Sequence, residues 1–71
     1  MPVNQLTFVV FIIHQLAEAW GKPAPQIYGE LTKTGIINDY ILPHYDTLHA
    51  LGREYLVQDI TEFVHEREAR Q

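Results

Sequence analysis

Apolar residues near the start of the chain recur at helical rather than strand spacing. Val3, Leu6, Val10, Ile13, Ala17 and Trp20 follow 3-4-3-4-3 intervals that place them in one stripe, and Val9, Ile12, Leu16 and Ala19 form a second stripe beside it. Asn4, Thr7, His14, Gln15 and Glu18 make the remaining surface polar, except where Phe11 interrupts it. β-branched residues are dense between Leu6 and Ile13, so a strand competes there. The period is sustained too long for a strand and there is no alternation, so the pattern predicts a helix from about Asn4 to Trp20. Gly21 stops it, with Pro23 just beyond.

Pro23-Ala24-Pro25 predicts the start of a second helix, because a proline in the first turn gives up an N–H that would have had no partner. Ile27, Tyr28 and Leu31 supply its apolar face and Gly35 ends it; Gly29 weakens it by about 1 kcal/mol relative to alanine and is read as a close approach to the first helix. A third helix is predicted from Asn38 to Leu51, capped by Asn38, with Ile37, Tyr40, Ile41, Tyr45, Leu48 and Leu51 at helical spacing. Pro43 falls inside it. The helix therefore either kinks there or splits, leaving residues 38–42 as a short turn. Gly52 closes this element. Arg53 to Gln58 alternate loosely and are read as an extended connector, after which Asp59-Ile60-Thr61-Glu62 is read as a capping box opening a last helix with Ile60, Phe63 and Val64 on its apolar face. Residues 66–71 are rich in Glu and Arg and are expected to fray. The fold class that follows is all-α, a small bundle of about four helical segments forming a single domain over residues 1–71.

Ordering 71 residues costs roughly 100 kcal/mol in conformational entropy, so nearly every large apolar side chain is needed inside. Without cysteine there is no disulfide and no thiolate metal site, and a chain so short often gains stability by pairing with another. The net charge is −4, and from Asp39 onward seven acids face three arginines. Nucleic-acid binding draws most of its affinity from Lys and Arg neutralising phosphates, so DNA and RNA are excluded as expected partners. A helix-turn-helix over residues 25–51 fails for the same reason, since its recognition helix would carry Asp39 and Asp46 and no Lys or Arg. The apolar run Phe8 to Ile13 is far short of the roughly 20 residues a membrane span needs, and no basic residue precedes it as in a secretory leader. No membrane association and a cytoplasmic location are expected.

Tyr45-Asp46-x-Leu48-His49-x-x-Gly52-x-Glu54-Tyr55, followed by Asp59-Ile60-x-x-Phe63, forms a spaced pattern, preceded by Gly35-Ile36-Ile37-Asn38-Asp39-Tyr40-Ile41. It resembles the C-terminal signature of a family of short bacterial proteins of unknown function, in which YD-x-LH-x-x-G-x-EY precedes a final DI-x-x-(Y/F) helix. The likeness extends more loosely to the apolar first helix and so covers nearly the whole chain. It implies a small helical bacterial protein without an assigned activity, encoded beside ADP-ribosyltransferase-like toxin candidates, and hence an antitoxin-like or accessory role.

Tyr45, Asp46 and His49, with Glu54 and Tyr55 following, form the densest polar motif. At i, i+3 the Asp46 carboxylate and the His49 imidazole share a helix face, as a general base would need. The favoured reading is nonetheless structural, a hydrogen bond tying this helix to the segment after it, because the chain holds no Ser or Cys and any nucleophile would have to be Thr or Tyr. No catalytic residue, no cofactor and no metal site is expected. His44 and His49 stand at i, i+5 and point apart, His14 and Glu18 lack a third ligand, and His65 between Glu62 and Glu66 is a solvated face. Phe11 on the polar stripe is either covered by Tyr55 or Phe63 or is an anchor for another chain, with Phe8 and Trp20 as neighbours. The expected function is a protein–protein interaction module, binding itself or a different protein, with an acidic second half suited to a basic partner such as a toxin-like enzyme. A small enzyme or ligand binder using Tyr45, Asp46 and His49 is the alternative from another class, and a transcription regulator a weaker one.

Overall fold

In the computed structural model, which describes residues 3–70, the chain forms α1 (Val3–Trp20), α2 (Ala24–Thr34), a π-helical turn (Ile37–Ile41), α3 (Tyr45–Leu48) and α4 (Arg53–Ala69), with no strand among the described residues. The fold class is all-α, as the apolar periodicity predicts. The two apolar stripes of α1 are not equivalent. Val9, Ile12 and Leu16 of the second are buried, whereas no member of the first is fully covered: Ile13, Ala17 and Trp20 are half-buried, and Val3, Leu6 and Val10 are exposed. Gly21 ends α1 at φ 67°, and the Lys22 N–H reaches back to the Ala17 carbonyl at 3.1 Å, the six-residue closure of a Schellman motif.

Pro23 opens α2, its carbonyl accepting from the N–H groups of Gln26 and Ile27 at 3.0 and 3.2 Å. The inward face is Ile27, Leu31 and Thr34; Tyr28, expected on that face, points out. The buried Thr34 hydroxyl has partners in the Glu30 and Leu31 carbonyls, at 2.9 and 3.2 Å. Gly35 caps α2 at φ 72°, where a Cβ would also meet the Asp39 carboxylate at 3.2 Å. Gly29 marks no close approach, since a Cβ built there has nothing within 4 Å.

The segment predicted as one helix from Asn38 to Leu51 takes the split form. The Leu42 N–H bonds to the Ile37 carbonyl, one residue beyond α spacing, to make the π turn, and α3 resumes at Tyr45. Pro43 explains the break, because it offers no N–H to the Asp39 carbonyl and its ring crowds that turn. Asn38 lies inside the π turn and makes no capping bond. Ile41 and Leu48 from this segment, with Ile36 just before it, complete the core.

The expected connector at residues 53–58 is instead the beginning of α4. Leu56, Ile60 and Val64, four apart, form one buried stripe, so the helix starts at Arg53 behind Gly52. Asp59 is consequently mid-helix rather than a cap, and its carboxylate accepts from the Tyr40 hydroxyl. α4 continues as helix to Ala69; Gln71, the end of the stretch expected to fray, lies outside the described residues. α1 packs on α2 and on α4, and α2 on α4. The Cα radius of gyration is 11.2 Å, close to the roughly 11 Å typical of a folded chain of this length.

Candidate functional site

From Val3 to Ala17 the chain contains no Asp, Glu, Lys or Arg. Once Val9, Ile12 and Leu16 turn inward and Phe8 and Ile13 are half-covered, four apolar residues of the first three turns of α1 stay in solvent. Val3 is 77% exposed, Leu6 51%, Val10 44% and Phe11 41%. A surface helix ordinarily turns its apolar stripe to the core and its polar residues outward; here one apolar stripe is covered, and half of the second, with Phe11, is not.

The uncovered face continues onto both neighbours. On one flank Leu6 and Val9 share a groove with Tyr28 and Leu31 of α2, and Tyr28 is itself 55% exposed. On the other flank Phe8 meets Tyr45 edge to face at 5.3 Å and His49 at 6.4 Å. Asn4, Thr7 and Phe11 complete the rim of that depression. Tyr45 and His49 stack at 4.6 Å with planes 7° apart, and the His49 Nδ1–H donates to the Tyr45 carbonyl at 2.8 Å. A carbonyl only accepts, so the proton is assigned to Nδ1.

The polar motif is therefore divided. Tyr45 and His49 come together around Phe8, while Asp46 is exposed and forms no hydrogen bond or ion pair among the described residues. Glu54 and Tyr55 lie exposed in the first turn of α4, where the Glu54 carboxylate suits the positive end of the helix dipole. His44 bonds through Nδ1 to the Tyr40 carbonyl at 2.9 Å. Among the described residues no three His, Cys, Asp or Glu side chains converge as a metal site would require. A depression of about 400 Å³ between α1 and α4 is an open trough whose charged residues Glu18, Arg53 and Glu54 are all solvated.

The three aromatic candidates also separate. Phe11 belongs to the uncovered face, and the half-buried Phe8 borders it. Trp20 lies about 18 Å farther along α1 than Phe8 at 1.5 Å per residue and is held from several sides. Its Nε1–H donates to Thr61 Oγ1 at 2.9 Å, His65 stacks on it at 6.3 Å, and the Lys22 ammonium sits 5.7 Å from the ring centroid.

Residues 7–67 match the model of a family described as a protein of unknown function, DUF3791. The chain belongs to the DUF3791 family. No curated protein and no solved structure matches it. Among the described residues of this DUF3791 chain, no helix is long and apolar enough to cross a membrane.

Sequence reading missed a second cluster, the clasp that fastens the π turn to α4. Tyr40 donates to Asp59 and stacks on Phe63 at 4.2 Å. Arg67 lies over Phe63 at 5.2 Å and donates at 3.1 Å both to the Thr34 carbonyl and to Asp39. Desolvation first, then the hydrogen bond to Asp59 and its negative charge, push the Tyr40 hydroxyl up from 10.0 to about 12. The Tyr40–Asp59 and Arg67–Thr34 bonds join residues 19 and 33 apart in sequence, and no local spacing announces them.

Proposed function

We propose that this chain is a protein-binding module whose docking face is the outer side of the first three turns of α1, flanked by Tyr28 and by the Phe8–Tyr45–His49 cluster. One observation carries the reading: Val3, Leu6, Val10 and Phe11 are 41–77% exposed on one uncharged helix surface. Scattered apolar residues on a protein surface need no explanation, but Val3, Leu6 and Val10 side by side on one helix stripe, with Phe11 across Thr7 and His14 from them, are a concentration of the kind found at interfaces. The other exposed apolar residues, Leu51 and Tyr55, share their surface with Asp59 and Glu62 and form no such patch. Aromatic side chains along its edges, Phe11 and Tyr28, suit anchoring, since they bury large areas with few rotatable bonds.

Site-specific photo-crosslinking tests this reading. A benzophenone analogue of phenylalanine at position 11, in the chain expressed in its source cells, is expected to give a covalent adduct with a polypeptide. The same analogue at Glu62, on the exposed side of α4, serves as the control. Adducts at residue 62 and none at residue 11 would overturn the assignment of the face.

A further inference from the structure

We infer that the polypeptide covering this face is a second copy of the same chain, paired α1 against α1. The inference rests on reading the face as a docking surface and specifies its occupant. Three features point to a like copy.

The first is charge. A partner selected by charge finds nothing to pair with between Val3 and Ala17, because the nearest acid on α1 is Glu18 and seven of the nine acids lie from Asp39 onward. Electrostatic steering toward a basic protein would act on α4 instead. An uncharged apolar helix surface is best matched by another of its kind, and the copy supplies one.

The second is spacing. Val3, Leu6, Val10, Ile13, Ala17 and Trp20 keep the alternating three- and four-residue interval of a helix–helix seam. Its second half is already engaged, with Ile13, Ala17 and Trp20 packed against the core; its first half faces solvent. A seam left open on a helix is filled by a helix, and a two-fold axis would let each copy close the other's.

The third is size. The exposed parts of Val3, Leu6, Val10, Phe11 and Tyr28 amount to about 500 Å² at ordinary side-chain areas, or about 1,000 Å² across two copies, the least a biological interface is expected to bury and the size of a weak, reversible dimer. Asn4, Thr7 and His14, exposed between and beside them, enlarge the contact.

The purified chain is expected to sediment and scatter light at twice its 8.2 kDa mass, with little change on adding salt. Val10→Glu and Phe11→Glu would each weaken self-association at least about tenfold while leaving the helical circular dichroism unchanged, and Glu62→Lys would leave association intact. A monomer at every attainable concentration overturns the inference, as does a dimer that neither glutamate variant weakens. Should both variants lose helicity, a photo-reactive residue at Thr7 decides: a covalent pair of chains supports the inference and its absence overturns it. If the chain is monomeric in solution yet position 11 cross-links to a different polypeptide in cells, the second copy is excluded and the docking face stands. A monomer with no cross-link at position 11 in cells removes both.

Discussion

α1 and α4 are nearly the same length, 18 and 17 residues, and each buries three aliphatic side chains in the common core, Val9, Ile12 and Leu16 on one and Leu56, Ile60 and Val64 on the other. Their outer surfaces are opposite in character. α4 faces solvent with Arg53, Glu54, Glu62, Glu66 and Glu68, an ordinary solvated surface, whereas the outer side of α1 is free of charge as far as Ala17 and carries Val3, Val10 and Phe11. Burial within the fold therefore accounts for every large aliphatic residue of α4 except the half-covered Val57, but for only part of α1. The apolar surplus of α1 lies where folding of one chain makes no use of it. This residue of unexplained chemistry is what motivates the proposed interface.

The comparison can be broken by substitutions on the two sides of each helix. The largest effect is expected inside: Leu16→Ala and Ile60→Ala, both fully buried, should each lower unfolding stability by about 2–5 kcal/mol in denaturant titration. Similar losses would show that α1 and α4 contribute alike to the core; a much smaller one at Leu16 would show that α1 is only loosely attached. Next is the clasp. Tyr40→Phe removes a hydrogen bond to a carboxylate, for an expected loss of about 1–2 kcal/mol near neutral pH by thermal or chemical unfolding. The same variant sharpens the pH dependence. Because the folded Tyr40 hydroxyl titrates at about 12 and the unfolded one near 10, the folded state holds the proton more tightly. Its contribution is fully present below pH 10 and is lost as pH rises toward 12. Wild-type stability should fall across that interval more steeply than that of Tyr40→Phe, and parallel profiles would contradict the assignment. Of similar size and opposite sign, Gly29→Ala should stabilise by about 0.5–1 kcal/mol, since Gly29 is an exposed mid-helix position with free space for a methyl group. The smallest effect is expected on the outer surfaces: Tyr55→Gln on α4 should change stability by no more than about 0.5 kcal/mol in either direction. Val10→Gln, measured at concentrations where the chain is monomeric, should behave the same way. A large loss from Val10→Gln under those conditions would mean that the outer stripe of α1 supports the fold itself, and the contrast with α4 would disappear.

Helix periodicity, Gly21, Pro23 and Gly35 were enough to place α1 and α2, because their spacing and chain breaks act within a few residues. Leu56, Ile60 and Val64 also carried the position of α4 in their four-residue spacing, but Tyr55 and Val57 gave the start of that helix the look of an extended segment. Propensity there is weak, and the packing of Leu56 against the core decides. In the candidate site, the anomaly of Phe11 on a polar stripe was visible in the sequence. The gathering of Tyr45 and His49 around Phe8 was not, nor was the exclusion of Asp46 from that cluster, because α3 is only four residues long and its orientation is set by the break at Pro43.

What the linear chain determined by itself is local: helical class, the stops at Gly21 and Gly35, an irregularity at Pro43, and an uncharged, apolar opening segment. All of these follow from backbone sterics and residue spacing. Which of the two stripes of α1 faces the core, and the union of Tyr40 with Asp59 and of Arg67 with Thr34, were decided by tertiary structure alone. A helix with apolar residues on every side has no preferred face until α2 and α4 dock against it. They cover one side, burying Val9, Ile12 and Leu16, and leave Val3, Leu6, Val10 and Phe11 in water.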